Sequence, residues 1–473
     1  MAPNDSQKGG LPLGLGSLVA LVIANMIGSG LYTSSCYALP SLGTATRVLW
    51  VWGLGGVMAL CGAVAYGALA RRLPDSGGEY LYLSRLVHPS IGFLAGWISL
   101  VAGFTVPIAA AALVVGTYLA AAGWGVSFWG ASSAGVASTN IANTNIASAW
   151  IASGLIFLSA LLHGIHLQAG ALVQNGVVIA KLIGLVAFLV VAVLSGPADG
   201  WSDGRMAIDP LGDASGMELG WAMLGSLVWI SLSYTGFNAS IYLAGELAPG
   251  DKRVTRSMWI AALVVTTLYL LLNAVFLYAI PAAQVAGNES FVADAASAIG
   301  GSWLAEIVRW TIVLSSVTSV LAMLMAGPRV YQQMARDGVL PRLLEGRGGI
   351  PREAIWIQAA LSIAVVWASS LRTMIGYLGL TLSTCGALAI ASLFWIGRRY
   401  PQSPRLTWWE SLAAILYLVF SALILLAGMQ SKPTEFRACV ATFAAGGIAY
   451  LLVRQNSRTR TRKKGDGSTD FRP

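Results

Sequence analysis

The sequence predicts an all-α integral membrane protein with about twelve transmembrane helices, and three observations carry the prediction. Hydrophobic residues make up 56% of the 473 and charged residues only 10%, whereas soluble domains carry roughly 25% charged residues. Residues 86–180 contain no Asp, Glu, Lys or Arg, and a water-facing surface cannot run that far uncharged. The positive charges fall in short clusters between apolar runs, almost all of them on alternate sides.

Each span needs about 20 mostly apolar residues. Runs of that kind lie near 13–39, 46–70, 91–122, 148–167, 170–194 and 217–247. Six more follow near 254–280, 303–335, 354–371, 373–397, 408–429 and 435–453. The short junctions at 167–170 and 371–373 each divide one long run in two. The first run follows about ten polar residues with no small-residue cleavage site, so it is expected to be a retained span. Twelve spans put both termini on one side. With that side cytoplasmic, the inner segments hold 22 Lys and Arg and the outer ones 6, leaving Lys181 inside a span. Positive residues favour the cytoplasmic side, so the bias supports a multi-pass protein of the cell membrane with both termini inside.

The expected organisation is a cytoplasmic N-terminus over 1–12, a core over 13–400, two additional spans over 401–453 and a basic cytoplasmic tail over 454–473. The tail is expected to lie on an anionic inner leaflet, which makes membrane lipid a partner. The stretch 131–147 is a Ser/Ala/Asn-rich outer loop. The loop 195–216, with Asp199, Asp203, Asp209 and Asp213, is a solvated outer segment.

Several function classes are disfavoured. The net charge is +9, but there is no basic face with interleaved aromatics, so nucleic acid is not a partner. Cys36, Cys61, Cys385 and Cys439 sit inside apolar runs without metal-site spacing. His163 and His166 are too few for a metal centre. Neither metal nor cofactor is expected, and oligomeric state has no signature in the sequence.

Two spans contain residues that a lipid-facing helix avoids. The first reads Asn25-Met26-Ile27-Gly28-Ser29-Gly30, and each glycine costs a helix roughly 1 kcal/mol relative to Ala. The sixth reads Ser231-Leu232-Ser233-Tyr234-Thr235-Gly236-Phe237-Asn238. Non-helical backbone at membrane depth survives only where it lines a cavity or is buried in protein. Either segment alone fits close helix packing equally well. Together they occupy matching positions of two five-span halves, which points to a midplane binding site in a secondary transporter.

These residues resemble the amino acid–polyamine–organocation (APC) superfamily of permeases. Three more stretches share the likeness: Pro74-Asp75-Ser76-Gly77-Gly78-Glu79-Tyr80, the sixth-span segment, and Gly327-Pro328-Arg329-Val330-Tyr331 running on to Ala335-Arg336-Asp337-Gly338-Val339-Leu340-Pro341. The sixth-span segment is most similar to L-type amino acid transporters and their bacterial relatives. Asn25 is closer to arginine/agmatine and putrescine exchangers. The resemblance implies a leucine-transporter-like 5+5 inverted repeat, about 13–194 and 217–397, with helices 1 and 6 broken. Unaided, Ser76 and Glu79 read as a capping box, and Gly338 with Pro341 as a helix stop.

A broken first span exposes amide groups at the start of its second half, the positive end of that half's dipole. The amides around Gly28, Ser29 and Gly30, next to Asn25 and Ile27, suit a carboxylate. Carbonyls around Leu232, Ser233 and Thr235, with Tyr234 and Asn238 alongside, suit an ammonium group. The two together describe an α-amino acid. The resemblance makes the same assignment and puts an aromatic gate at Leu232, a departure that Trp229, Tyr234 or Phe237 could cover. No intramembrane carboxylate is evident for a cationic side chain, since Glu246 lies beside a basic loop and Glu306 is one turn from Arg309. A neutral amino acid is favoured over a cationic one, although aromatic faces alone can hold a guanidinium.

Lys181 lies about 11 residues from each end of its span, roughly 16 Å from either surface at helical rise, too deep to snorkel. An intramembrane ionisable residue is by default a functional hypothesis. In sodium-independent members of the resembled superfamily, a fifth-span Lys takes the place of a sodium ion between spans one and eight. The resemblance makes Ser315, Ser316 and Ser319 its candidate neighbours, with Gln174-Asn175 preceding it. A structural ion pair or a coupling proton are the alternatives.

The sequence thus points to a sodium-independent secondary transporter of α-amino acids, working as an exchanger or with protons, and not to an enzyme. An exchanger of cationic amino acids or polyamines is the nearest alternative. A non-transporting amino acid sensor would keep the same pocket. A membrane-embedded enzyme would need clustered carboxylates or a His pair near one interface, and a channel a filter signature; neither is evident.

Overall fold

The computed structural model of the chain describes residues 14–73, 78–122, 141–165, 170–207, 209–212, 216–247, 251–336, 340, 342–346 and 352–465. Ser76, His166, Gly338 and Pro341, and the side chains of Gln174, Asn175 and Glu246, lie outside the described residues. Every extended element among them is a helix. These are α1 (Leu15–Met26), α2 (Gly30–Leu42), α3 (Ala45–Arg72), α4 (Gly78–Leu86), α5 (Pro89–Ile98) and α6 (Val106–Ala121), the last two joined by a π-helical segment at Ser99–Thr105. Then come α7 (Ile141–Ile165), α8 (Gly170–Ser195), α9 (Gly216–Ser233), a 3-10 segment at Ala239–Glu246, α10 (Lys252–Tyr278) and α11 (Ala282–Val285). The rest are α12 (Phe291–Arg336), α13 (Arg352–Ala368), α14 (Leu371–Ala391), α15 (Ile396–Arg399), α16 (Trp408–Ser431) and α17 (Pro433–Gly465).

Eight of the described helices are long and apolar enough to cross a bilayer, and α1 with α2, bent by 45°, makes a ninth candidate. Large apolar side chains stand on the outside: Trp50, Val193 and Leu194 are 67, 71 and 80% exposed. Water would penalise such a surface, whereas lipid matches it. The chain is a multi-pass membrane protein.

The apolar runs match the helices with instructive differences. α7 begins at Ile141, inside the stretch 131–147 expected as an outer loop, and α17 runs on to Gly465, inside the expected tail. The run at 303–335 belongs to a longer element, α12, that turns at Gly300 and Gly301 before its span begins; Gly301 has φ +70°. The run at 217–247 is not one helix but α9, an irregular turn over 234–238 and the 3-10 segment.

Small residues let the helices approach closely, as in other membrane bundles. Along α3, Gly56 and Gly67 face Thr266 and Thr255 of α10, while Gly55 and Gly62 face Tyr234 and Phe237 of the sixth-span turn. The bundle has two chemically distinct ends. One, the basic end, gathers Arg71 and Arg72 of α3 around Glu410 of α16; Arg72 pairs at 2.9 Å. Glu410 is also the N3 member of a capping box with Thr407, whose amide donates to it at 2.9 Å. One buried carboxylate therefore starts α16 and ties it to α3. At the far end Arg47 clasps both oxygens of Asp209 at 2.8–2.9 Å. Glu306 and Arg309, expected to be neighbours one turn apart, form an ion pair.

Candidate functional site

Both expected breaks are present and face each other. In the first, α1 stops at Met26 and Ile27 takes extended geometry, φ −77° and ψ 93°. The Gly28, Ser29, Gly30 and Leu31 amides make no backbone hydrogen bond among the described residues, and regular bonding resumes where Tyr32 donates to the Ser29 carbonyl at 3.1 Å. Four successive free amides at a helix start form an anion-accepting cradle. Gly28 faces open space, so a ligand can reach this backbone. Gly30 does not: a Cβ there would lie 3.2 Å from Ser233 Cα, so this glycine serves the packing of α2 on α9. Asn25 turns its amide back to the Leu21 carbonyl at 2.8 Å.

Two of the carbonyls that the same break frees, those of Met26 and Ile27, are taken up by side chains. Lys181 of α8, buried, donates from Nζ to the Ile27 carbonyl at 2.5 Å. Tyr269 of α10 donates to the Met26 carbonyl at 2.7 Å and lies 2.9 Å from the Ser233 carbonyl. One phenol thus bridges the two breaks. Gly236, with φ +91°, presses its backbone against Asn25 so tightly that a Cβ would lie 2.7 Å from the Asn25 oxygen. Non-glycine residues seldom adopt that φ.

In the sixth-span turn, the Leu232 carbonyl accepts from the Thr235 amide at 3.0 Å and its hydroxyl at 2.7 Å. The Ser233 carbonyl accepts from the Tyr269 hydroxyl, so the Thr235 carbonyl is the one of the three expected acceptors that takes no hydrogen bond among the described residues. Tyr234 points away from the break, its hydroxyl donating to the Trp52 carbonyl at 2.7 Å. Trp52, Tyr234 and Tyr269 form an aromatic trio with centroids 5.2–5.9 Å apart. Behind it, Trp52 donates to Ser35, Ser35 to Asn273, and Asn273 to the Tyr269 carbonyl. This network holds the bridging Tyr269 in place.

Asn238 donates to Glu79 of α4 at 2.6 Å. Glu79 also accepts from Tyr66 at 3.0 Å and Tyr242 at 2.9 Å. The residue that reads in sequence as the second half of a capping box thus fastens α4 to the sixth-span turn at the basic end. Asn238→Leu should weaken transport by the equivalent of about 1–3 kcal/mol, the cost of an unpaired buried polar group. Initial uptake rates in proteoliposomes measure it, and unchanged kinetics would reduce Asn238 to packing.

Of the expected neighbours of Lys181, Ser315 and Ser316 are buried on α12, and Ser319 bonds back to the Ser315 carbonyl at 3.0 Å. Leu232 is half-buried. Trp229, one turn before it, is fully buried against Tyr37 of α2 at 5.9 Å. Its carbonyl accepts from Ser34, whose hydroxyl lies 3.3 Å from that of Ser233. Over the Trp229 ring stand Lys432 at 3.6 Å and Arg372 at 5.1 Å. Tyr37 donates to Glu289 at 2.5 Å, and Thr117 lies 3.5 Å from its other oxygen. Burial raises the Glu289 carboxyl above its usual range, opposed by these two hydroxyls. Sequence reasoning missed this far-end group. Glu289 lies in a short polar segment between apolar runs, where a buried acid looks like a solvated one.

Two facing helix breaks inside a membrane-embedded helical bundle, one offering free amides and the other a carbonyl, mark a transporter of small polar solutes. A family model described as "Amino acid permease" matches residues 13–449. The chain belongs to that family, within the APC superfamily, whose members are transporters and not enzymes. It is 24% identical over 472 residues to the large neutral amino acids transporter small subunit 2 of Rattus norvegicus, covering 95% of this chain and 83% of the relative. An uncharacterized transporter of Mycobacterium tuberculosis is 25% identical over 461 residues, with 97% and 94% covered. The serine/threonine exchanger SteT of Bacillus subtilis is 26% identical over 340 residues, 71% of each chain.

Proposed function

We propose that the protein carries neutral α-amino acids across the cell membrane by alternating access, without sodium. The proposed frame is twelve spans, two of them outside a pair of inverted five-helix repeats, with both termini cytoplasmic. The observation that carries the reading is the first break, where the amides of 28–31 are free while Lys181 occupies the Ile27 carbonyl. The substrate carboxylate lies on those amides, approaching at Gly28. Its ammonium group lies toward the Thr235 carbonyl. Leu232 and nearby aromatics border the side chain.

Two observations favour a neutral side chain. Glu79 and Glu289, the carboxylates brought toward the breaks from either end, are engaged by three donors and two hydroxyls respectively. The rat relative is named for large neutral amino acids and the Bacillus relative for serine and threonine. The latter is also named an exchanger, which supports exchange as the mode of turnover.

Sodium independence follows from charge. A protonated Lys181 repels a sodium ion 4 Å away by about 4 kcal/mol at an effective dielectric of 20. Replacing sodium by choline should leave uptake into proteoliposomes unaltered. A strict sodium requirement would overturn this part of the reading.

A further inference from the structure

A groove on the membrane-facing side of the bundle lies between α8 and α12, with Phe276 of α10 and Tyr32 of α2 at its back. Its volume is about 150 Å³ and its lining is almost entirely apolar. The far-end mouth is at Trp303 and Val191, and the floor is where Gly184 meets Thr311: a Cβ at Gly184 would lie 3.3 Å from the Thr311 methyl. Trp303 and Ile307 along the rim are 58 and 52% exposed. The outward faces of Ile183, Val186 and Val190 continue the same apolar surface.

We propose that this groove is a binding site for one acyl chain of a membrane phospholipid. Three features fit that occupant. An apolar space of this size does not take up water, and left empty it would forfeit the contacts of its lining. From Trp303 to Thr311 the groove runs about 12 Å at helical rise, most of the roughly 15 Å hydrocarbon depth of one leaflet. Its mouth carries a tryptophan at the level where aromatic side chains meet lipid headgroups, and it opens sideways into the lipid-facing surface. The back wall matters for function. Tyr32 belongs to the second half of the broken span, and Gly184 is three residues from Lys181. A chain seated here packs against the element whose bend defines the site, so its occupancy favours this arrangement of the first span. The inference does not depend on which amino acid is carried.

The test uses the full-length protein in phosphatidylcholine vesicles doped with a phosphatidylcholine bearing a diazirine on its acyl chain, with labelled residues mapped by mass spectrometry after irradiation. Phe188 and Leu304 are buried in the groove and only a chain inside it can reach them. They should be labelled in the wild type, lose the label in Ala187→Trp, which fills the groove, and keep it in Val190→Trp, which faces bulk lipid. Ala187→Leu serves if the tryptophan variant does not fold. Labelling confined to Ile183 and Val190, or equal labelling of Phe188 in the filled variant, would overturn the proposal.

Discussion

Lys181→Ala should cut amino acid transport by about tenfold to a hundredfold, the equivalent of the roughly 1.5–3 kcal/mol of a hydrogen bond to a charged group. The order of preferred amino acids should stay the same. Lys181 holds the Ile27 carbonyl from 154 residues away, so its loss leaves a buried carbonyl at the hinge of the first span without this partner. The effect is on the angle between α1 and α2 and on the placement of the amide cradle, not on the substrate's side chain. Competition assays with a panel of amino acids separate the two. A reduced rate with an unchanged ranking is the expected outcome. Wild-type rates in the variant would reduce Lys181 to a structural residue. Lys181→Arg should recover little, because a planar guanidinium is larger and cannot replace a compact ammonium at one carbonyl.

Gly236→Val should abolish substrate binding while leaving the protein inserted and monodisperse. The position combines φ +91° with a backbone contact that a Cβ would enter at 2.7 Å, and a β-branched residue at positive φ is a genuine outlier. Relief can come only by pulling the sixth-span turn away from Asn25, which also separates the Met26 and Ser233 carbonyls that Tyr269 bridges. Gly236→Ala should act in the same direction and less severely. Isothermal titration or scintillation proximity binding reads the result directly. Wild-type affinity in the valine variant would show that the two breaks need not touch.

Much of this site is legible in the sequence because membrane-depth residues are otherwise so uniform. Gly28, Ser29 and Gly30, and the run from Ser233 to Asn238, stand out as polar or small residues in long apolar runs. Lys181 stands out as a charge where there should be none. The breaks follow from helix propensity and the cost of unpaired backbone in lipid, whereas the link between Lys181 and the first span comes from the family resemblance. The connections among them are not legible. Tyr269 sits in an apolar run as an ordinary aromatic, and nothing local says that its hydroxyl reaches two carbonyls, one 243 residues away in the chain. Glu79 reads as helix punctuation because its local pattern is a good cap. Its three partners, Tyr66, Asn238 and Tyr242, lie 13 to 163 residues away in the chain. Gly28 and Gly30 look alike in sequence, yet one faces open space and the other Ser233. Composition identifies where a helix must break; only packing decides what each freed group bonds to.

The central claim is that an α-amino acid is held by its carboxylate on the amides of residues 28–31. The most direct measurement is competition for sodium-free uptake in proteoliposomes between the best neutral amino acid, its methyl ester and its decarboxylated amine. The expected result is saturable uptake that other neutral α-amino acids inhibit and that neither the amine nor the ester inhibits at comparable concentration. Inhibition by the amine as strong as by the amino acid would contradict the claim, because a ligand without a carboxylate has nothing to place on those amides.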